Sequence, residues 1–450
     1  MCTPVGIAFL GRLSNEDLAA AVLATTWFNF VNETMTGFMS AIDTLLAQSY
    51  GSRQYSTYAI WTGNSLVIVF FATIIASGIM ALCGPFMQLI VSDPKLAQEA
   101  GYFALRLIPG LFPYYWFKVL TKYLQTQDIL APLVWVGLFA NGMNAYFNWM
   151  LIYQVGLGIA GSPWATTLTR TVELLLLGLF MLFRRSTLEK TWPSVSCENI
   201  STNTLAPFME IAIPGALGTL GEILIHLRVC ILCTLHGNIN SQQYDCVASF
   251  QAWGGFFEVT TILASFLGIA QLGAHAIALN IETFLYMSLC YAMRNAACIL
   301  VGRAVGDRKP QEAKRSSHVS LFLSFIAALM VISILVCLRT ELARLFSGDE
   351  EVSNQVARLI PIMCVFYIYD AIVATTYGVF SGIGWQKWVL YISLIGCWVV
   401  AIPVAYALGV LMCLSFCKDT NTLNIYFSNS LQHSKQIYVF MAYGGAYVLG

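Results

Sequence analysis

Ionisable side chains inside long apolar runs are the first residues to weigh. Placing a charge in hydrocarbon costs several kcal/mol, so such groups persist mainly where they are used. Asp370 lies within the run 356–380. A carboxyl held in a low-dielectric span can take a proton from one aqueous face and release it to the other. Its charge can then alternate with that of a cationic solute. The plainer reading is a helix-end carboxylate in water. Glu258 stands near the start of another apolar stretch and Glu222 near the end of a third, and an interfacial place is the plainer reading of each. Asn280 cannot titrate, so its role would be to hydrogen-bond a substrate. Tyr377 follows Asp370 by seven residues, about two helical turns, which sets both on one face. It could stack on a planar cation, although a packed core tyrosine is the commoner case. Arg170 and Glu173, three apart in one run, read as an ion pair on a helix face. Gln48 and Asp43, near the end of the run 18–49, read as structural residues holding the inner loop.

Other patterns carry less. Cys230 and Cys233 form C-x-x-C with His226 and His236 nearby, but no second ligand pair follows at metal-site spacing. No metal is expected. Gly156-x-Gly158-x-x-Gly161 matches a dinucleotide fingerprint on paper. It follows an apolar run and not a strand of a βαβ unit, so it reads as a tight turn between helices. The sequons at Asn32 and Asn199 fall in a span and in an inner loop, where glycosylation is not expected.

The elements that must position these residues are long and apolar. Of 450 residues, 58% are apolar and 10% charged, against about 25% charged in a soluble domain. The formal net charge is +0, which argues against a nucleic-acid partner. A bilayer core takes about 20 apolar residues in a helix. Runs of that order recur at 18–49, 58–83, 101–120, 130–153, 161–183, 204–225, 253–272, 274–301, 318–338, 356–380 and 388–413, with a partial one at 436–450. The 13 cysteines are scattered, many of them inside these runs, and read as small core residues. No cleavable signal peptide is read at the start. Lys and Arg collect in 184–190 and 303–315, which places both segments in the cytoplasm, and with them 51–55 and 384–387. The chain also repeats itself. Gly51-Ser-Arg53 at the end of one span recurs as Gly306-Asp-Arg308. Leu107-Ile-Pro109 recurs as Leu359-Ile-Pro361, at a nearly equal offset and in the same order. Two homologous halves follow, 1–183 and 204–450, joined by the polar linker 184–203. Such halves commonly hold a substrate between them. In this register Lys118 occupies the position of Asp370.

Several segments together resemble the multidrug and toxic compound extrusion (MATE) transporters. Ala41-Ile-Asp-Thr-Leu-Leu-Ala-Gln48-Ser-Tyr-Gly51 is similar to the family's second-span signature, A-L-[DE]-T-L-x-x-Q-A-Y-G. Val301-Gly-Arg-Ala-Val-Gly306-Asp resembles the segment after its eighth span, with Arg303 in place of an asparagine. Tyr369-Asp370, Gly378-Val379 and Gly382-x-Gly384-Trp385-Gln386 resemble its tenth span, the most specific of the matches. Glu258-Val259 through Leu272-Gly273-Ala274 resembles the seventh span and the start of the eighth.

The resemblance implies an all-α integral membrane protein, with about 11–12 transmembrane helices in two homologous six-helix bundles around a central cavity. It implies export of organic cations, drugs or secondary metabolites by alternating access, with inward protons or sodium as the coupling ion and no other cofactor. Asp370, Glu258 and Glu222 would be the cation-coupling residues, and Asn280, Tyr377 and Trp253 would line the substrate cavity. The protein would be no enzyme and a monomer, partnered by its organic substrate and the bilayer of a plasma or vacuolar membrane. Three departures accompany the match. The first helix is expected to be truncated. A polar insert at 223–252 separates Glu222 from Trp253 and Glu258. The tail 414–450 is atypical. Insert and tail read as retained introns, and sequencing the transcript decides this. The alternatives are a lipid-linked oligosaccharide flippase, which would need more cavity cations than Lys118, Lys122 and Arg170, and a non-functional product of an aberrant gene.

Overall fold

The computed structural model describes residues 15–90, 94–193, 205–220, 284–346 and 350–395, together with Phe9 and Ile281. All the regular structure among them is helical. The helices are α1 Asn15–Gly51, α2 Tyr55–Ala81, α3 Cys83–Ile90, α4 Pro94–Leu107, α5 Leu111–Thr126, α6 Ala131–Trp149, α7 Gly161–Phe183, α8 Leu205–Leu220, α9 Tyr291–Gly306, α10 Pro310–Cys337, α11 Arg339–Phe346, α12 Glu350–Ile383 and α13 Gln386–Leu394. Tyr55–Gln88, Gly158–Phe183 and Pro310–Cys337 are each long and apolar enough to cross a membrane.

Outward-facing apolar side chains mark the lipid surface. Trp135, Leu138 and Phe139 of α6, Leu182 and Phe183 of α7, and Phe322, Met330 and Ile334 of α10 are all exposed. Lipid accepts such a surface where water does not. Lipid offers no hydrogen bonds, so every backbone group must be satisfied internally, which selects helices. Hydroxyls obey the same rule by donating back to the preceding turn. Thr34 donates to the Phe30 carbonyl at 3.0 Å, Thr36 to Asn32 at 2.8 Å and Thr73 to Val69 at 2.6 Å.

The helices α1, α2, α4 and α5 pack together, and α7 lies against α4, α5 and α6. A second group forms from α9, α10 and α12. The long α1 belongs to the first group and also crosses α9 and α12. The core of the first group includes Tyr58, Tyr115, Tyr123 and Leu111, all fully buried.

The repeat is visible in the backbone. The turn after α1 puts Arg53 at φ 57°, and the turn after α9 puts the repeat-equivalent Arg308 at φ 55°. Such left-handed conformations are uncommon outside glycine. The Leu-Ile-Pro repeat is used differently in the two halves. Pro109 falls in a 3-10 turn, Ile108–Gly110, that separates α4 from α5, so the expected span 101–120 becomes two helices. Pro361 sits inside the continuous α12. Proline removes one backbone donor and can break or kink a helix, and here the same tripeptide breaks the helix in one half and is carried through it in the other. The expected run 318–338 starts earlier, at Pro310, because proline suits a helical first turn. Gly156 and Gly158, at φ 75° and 54°, shape the tight turn that enters α7.

Candidate functional site

The charged residues inside the bundle converge where α5 meets α1 and α9. On α5, Lys118 and Lys122 are four residues apart and share a face. The Lys122 ammonium donates to Asp43 Oδ1 of α1 at 2.9 Å and to Asn295 Oδ1 of α9 at 2.9 Å. One lysine thus ties the first helix group to the second. Lys118 donates to Asn32 Oδ1 and Thr36 Oγ1 of α1, each at 3.1 Å, and stands 4.6 Å from the centre of the Tyr114 ring. Arg170 of α7 lies over the same ring at 4.3 Å and over Phe28 at 4.7 Å. From the other group, Arg294 of α9 stacks over the Tyr377 ring of α12 at 4.4 Å. Ring faces are electron-rich and stabilise such cations where water is scarce. On α12, Asp370 is 4% exposed and lies within Coulombic range of Tyr367.

Below this layer the helix ends close on one another. Gln48 of α1 donates through Nε2 to the carbonyls of Gly382, at 3.0 Å, and Ile383, at 3.2 Å. Thr44 donates to the Ser381 carbonyl at 2.5 Å and accepts from Gln386 Nε2 at 2.8 Å. Arg303 of α9 pairs with Asp128, in the α5–α6 turn, at 2.7 Å, donates also to the Thr126 carbonyl, and lies over the Tyr50 ring at 5.1 Å. The loops at this end carry Arg53, Arg184, Arg185, Lys190, Arg308, Lys309 and Lys387. Such an excess of positive charge is the pattern expected at a cytoplasmic end. In its Asp307–Lys309 turn the ammonium donates to the Asp307 carboxylate, 2.8 Å away, and holds it below the usual carboxylate range.

Several residues singled out from the sequence therefore meet. Gln48 lies in the contacts between groups, Asp43 pairs within the first group with the lysine that bridges to the second, and Asp370 and Tyr377 lie on α12 near Tyr367 and Arg294. Arg170 and Glu173 are within Coulombic range, but the expected ion pair is replaced. The Arg170 guanidinium lies over the Phe28 and Tyr114 rings, which α1 and α5 bring to either side of it, and acts on Glu173 only through its field. Glu222, Trp253, Glu258 and Asn280 lie outside the described residues. Sequence reasoning passed over Arg294, Asn295 and Asp128. Arg294 carried the same signal as Asp370, a charge inside an apolar run, here 274–301. Asp128 gave no such signal, since its importance comes from a partner in the other half of the chain. Among the described residues no cluster of metal-ligating side chains forms.

The chain spans about two thirds of the length of the curated relatives it matches. It is 27% identical over 426 residues to the multidrug and toxin extrusion protein 2 of Mus musculus, covering 92% of this chain and 68% of that one. It is 27% identical over 405 residues to the multidrug and toxin extrusion protein 1 of Homo sapiens, covering 90% of this chain and 65% of the relative. Among solved structures, the eukaryotic MATE transporter AtDTX14 superposes with a TM-score of 0.78 at 22% identity, over 100% of this chain and 88% of that one. The Vibrio cholerae MATE transporter VcmN superposes with a TM-score of 0.76 at 15% identity, over 100% of this chain and 91% of its own. These two likenesses concern the fold. The MatE family model matches residues 1–150 and 247–407 and passes over the stretch that contains most of the polar insert. With its all-helical fold, its lipid-facing surface and that match over most of its length, the chain is an integral membrane protein that belongs to the MATE family.

Proposed function

We propose that this protein is a secondary antiporter, exporting organic solutes by alternating access in exchange for protons or sodium. The solutes are of the class that includes organic cations, drugs and secondary metabolites. The halves 1–183 and 204–450 are the moving lobes, 184–203 the linker, and the monomer is the working unit. The observation that carries this reading is the carboxylate of Asp370, 4% exposed in a helix whose cytoplasmic end closes against α1. A buried carboxylate is expensive, and a bound proton or a bound cation each relieves that cost. Competition between the two for one group couples their movements. Alternating access fits the closure below it, since Gln48, Thr44 and Arg303 all bond across helices that must part if the cavity is to face the cytoplasm.

The test uses inside-out vesicles and a panel of fluorescent organic solutes, both cations and carboxylates, under an imposed proton or sodium gradient. Gradient-driven uptake is expected, and Asp370→Asn should lower it at least about tenfold, about 1.4 kcal/mol in transition-state terms. Undiminished, gradient-dependent uptake by the variant removes Asp370 from the coupling. No movement of any solute under either gradient overturns the exchange reading. The flippase alternative gains one cavity cation, Arg294, and loses Lys122, which Asp43 neutralises.

A further inference from the structure

We infer that the layer formed by Lys118, Arg294 and Arg170 docks a carboxylate carried by the transported solute, with the rings of Tyr114 and Tyr377 as stacking faces for its planar part. This rests on the exchange reading and narrows its substrate class to zwitterions, whose cationic end competes with the proton at Asp370 and whose anionic end is an aromatic carboxylate.

The charge distribution gives the argument. Four basic side chains point into the layer, and only Lys122 makes an ion pair among the described residues, with Asp43. The contacts of Lys118 are an amide oxygen, a hydroxyl and a ring face. Arg294 lies on a ring face. Arg170 is 4% exposed, lies between two rings, and its Nη1 has no hydrogen-bond partner among the described residues. A buried donor left without a partner costs about 1–3 kcal/mol, more when charged. Among the described residues, the hydrogen-bond and ring contacts of Lys118, Arg294 and Arg170 are therefore all with neutral groups, which compensate a buried charge poorly. Acids are present, but they are engaged or to one side. Asp43 pairs with Lys122 and also acts on Arg294, Glu33 accepts from Asn32 at 3.2 Å and also acts on Lys118, Glu173 acts on Arg170 from the same helix, and Asp370 acts on Tyr367.

The cations also share a location. Tyr291 of α9 is within Coulombic range of Lys118, Lys122 and Arg294, so the three gather where the two helix groups meet. A guanidinium offers a planar fork that matches a carboxylate, and an ammonium adds a point charge beside it. Two tyrosine rings already stacked by cations flank the place where the anion would sit. A planar aromatic ring carrying a carboxylate satisfies both features at once.

The experiment compares two dyes with the same fused-ring skeleton and opposite charge, fluorescein and rhodamine 6G. Binding to the full chain in lipid nanodiscs is read by fluorescence polarisation. The unaltered protein should bind fluorescein at least about tenfold more tightly than rhodamine 6G. Lys118→Gln and Arg294→Gln should each cut that ratio about tenfold, while Lys118→Arg and Arg294→Lys restore it in part. A preference of the unaltered protein for rhodamine 6G overturns the inference whether or not any variant folds. So does an unchanged ratio in both glutamine variants with normal thermal unfolding. If neither dye binds while other solutes still move under a gradient, the docking inference falls alone. If no solute moves under any gradient, the exchange reading beneath it falls as well.

Discussion

Gly306→Val abolishes closure at the cytoplasmic end and takes transport to background. Gly51 ends α1 and Gly306 ends α9, and the two are equivalent positions of the internal repeat. A Cβ added at Gly51 would overlap the carbonyl oxygen of Arg303, and one added at Gly306 would overlap the carbonyl oxygen of Gln48. Arg303 and Gln48 are themselves repeat equivalents. The contact is therefore reciprocal, as it is across a two-fold axis, and backbone meets backbone on both sides. No side chain can swing away to admit a branched residue. Overpacking of this kind costs about 1–3 kcal/mol even where neighbours can yield. At 3 kcal/mol the closed state loses about a hundredfold in population. Cytoplasmic labelling of Thr44→Cys reads the state directly. The thiol should label slowly when Gly306 is present and at least about tenfold faster with Gly306→Val. Gly51→Val should behave alike. Gly78→Val is the control, because a Cβ there meets nothing within 4 Å. Equal labelling and intact transport in Gly306→Val would show that this crossing does not gate access.

That reciprocal crossing also shows how far the sequence could be read. The Gly51–Gly306 repeat was plain in the order of residues, because two homologous halves must end their equivalent helices alike. The repeated left-handed turns at Arg53 and Arg308 follow from the same cause. The membrane class followed from run length and missing charge. Asp370 and Gln48 stood out by type and by motif. Two kinds of feature stayed hidden. One was the fate of a shared tripeptide. Leu-Ile-Pro breaks the backbone before Lys118 but is absorbed by α12 before Asp370, and tertiary packing decides which. The other was partnership across the repeat. Arg303 was noticeable as a basic residue in place of an asparagine, yet its partner Asp128 lies 175 positions away. Likewise nothing local foretold that Arg170 would prefer Phe28 and Tyr114 to Glu173. Aromatic faces supplied by α1 and α5 outcompete a helical neighbour only once those helices are packed.

Lys122→Met destabilises the protein more than any other single change in the charged layer. Lys122 and Asp43 meet at 2.9 Å with side chains 17% and 20% exposed. Breaking a buried pair strands the remaining charge and costs about 3–5 kcal/mol. The small residual exposure here favours the lower figure, about 3 kcal/mol. The loss should appear as a thermal unfolding midpoint lower by several degrees in detergent. Asp43→Asn should cost a comparable amount by a different route. It leaves Lys122 unpaired and removes a carboxylate whose field reaches Arg294 across the helix boundary. The pair Lys122→Met with Asp43→Leu leaves no stranded charge and should recover most of the stability, since replacing a buried ion pair by apolar groups is often neutral or better. It should not recover transport. Lys122 also donates to Asn295 at 2.9 Å, and that bond joins α5 to the opposite helix group. Stability and transport would thus separate in one double-mutant cycle. Losses that simply add would mean that the two side chains do not interact in the working protein. Recovery of both properties would mean that the Lys122–Asn295 link plays no part in moving the lobes.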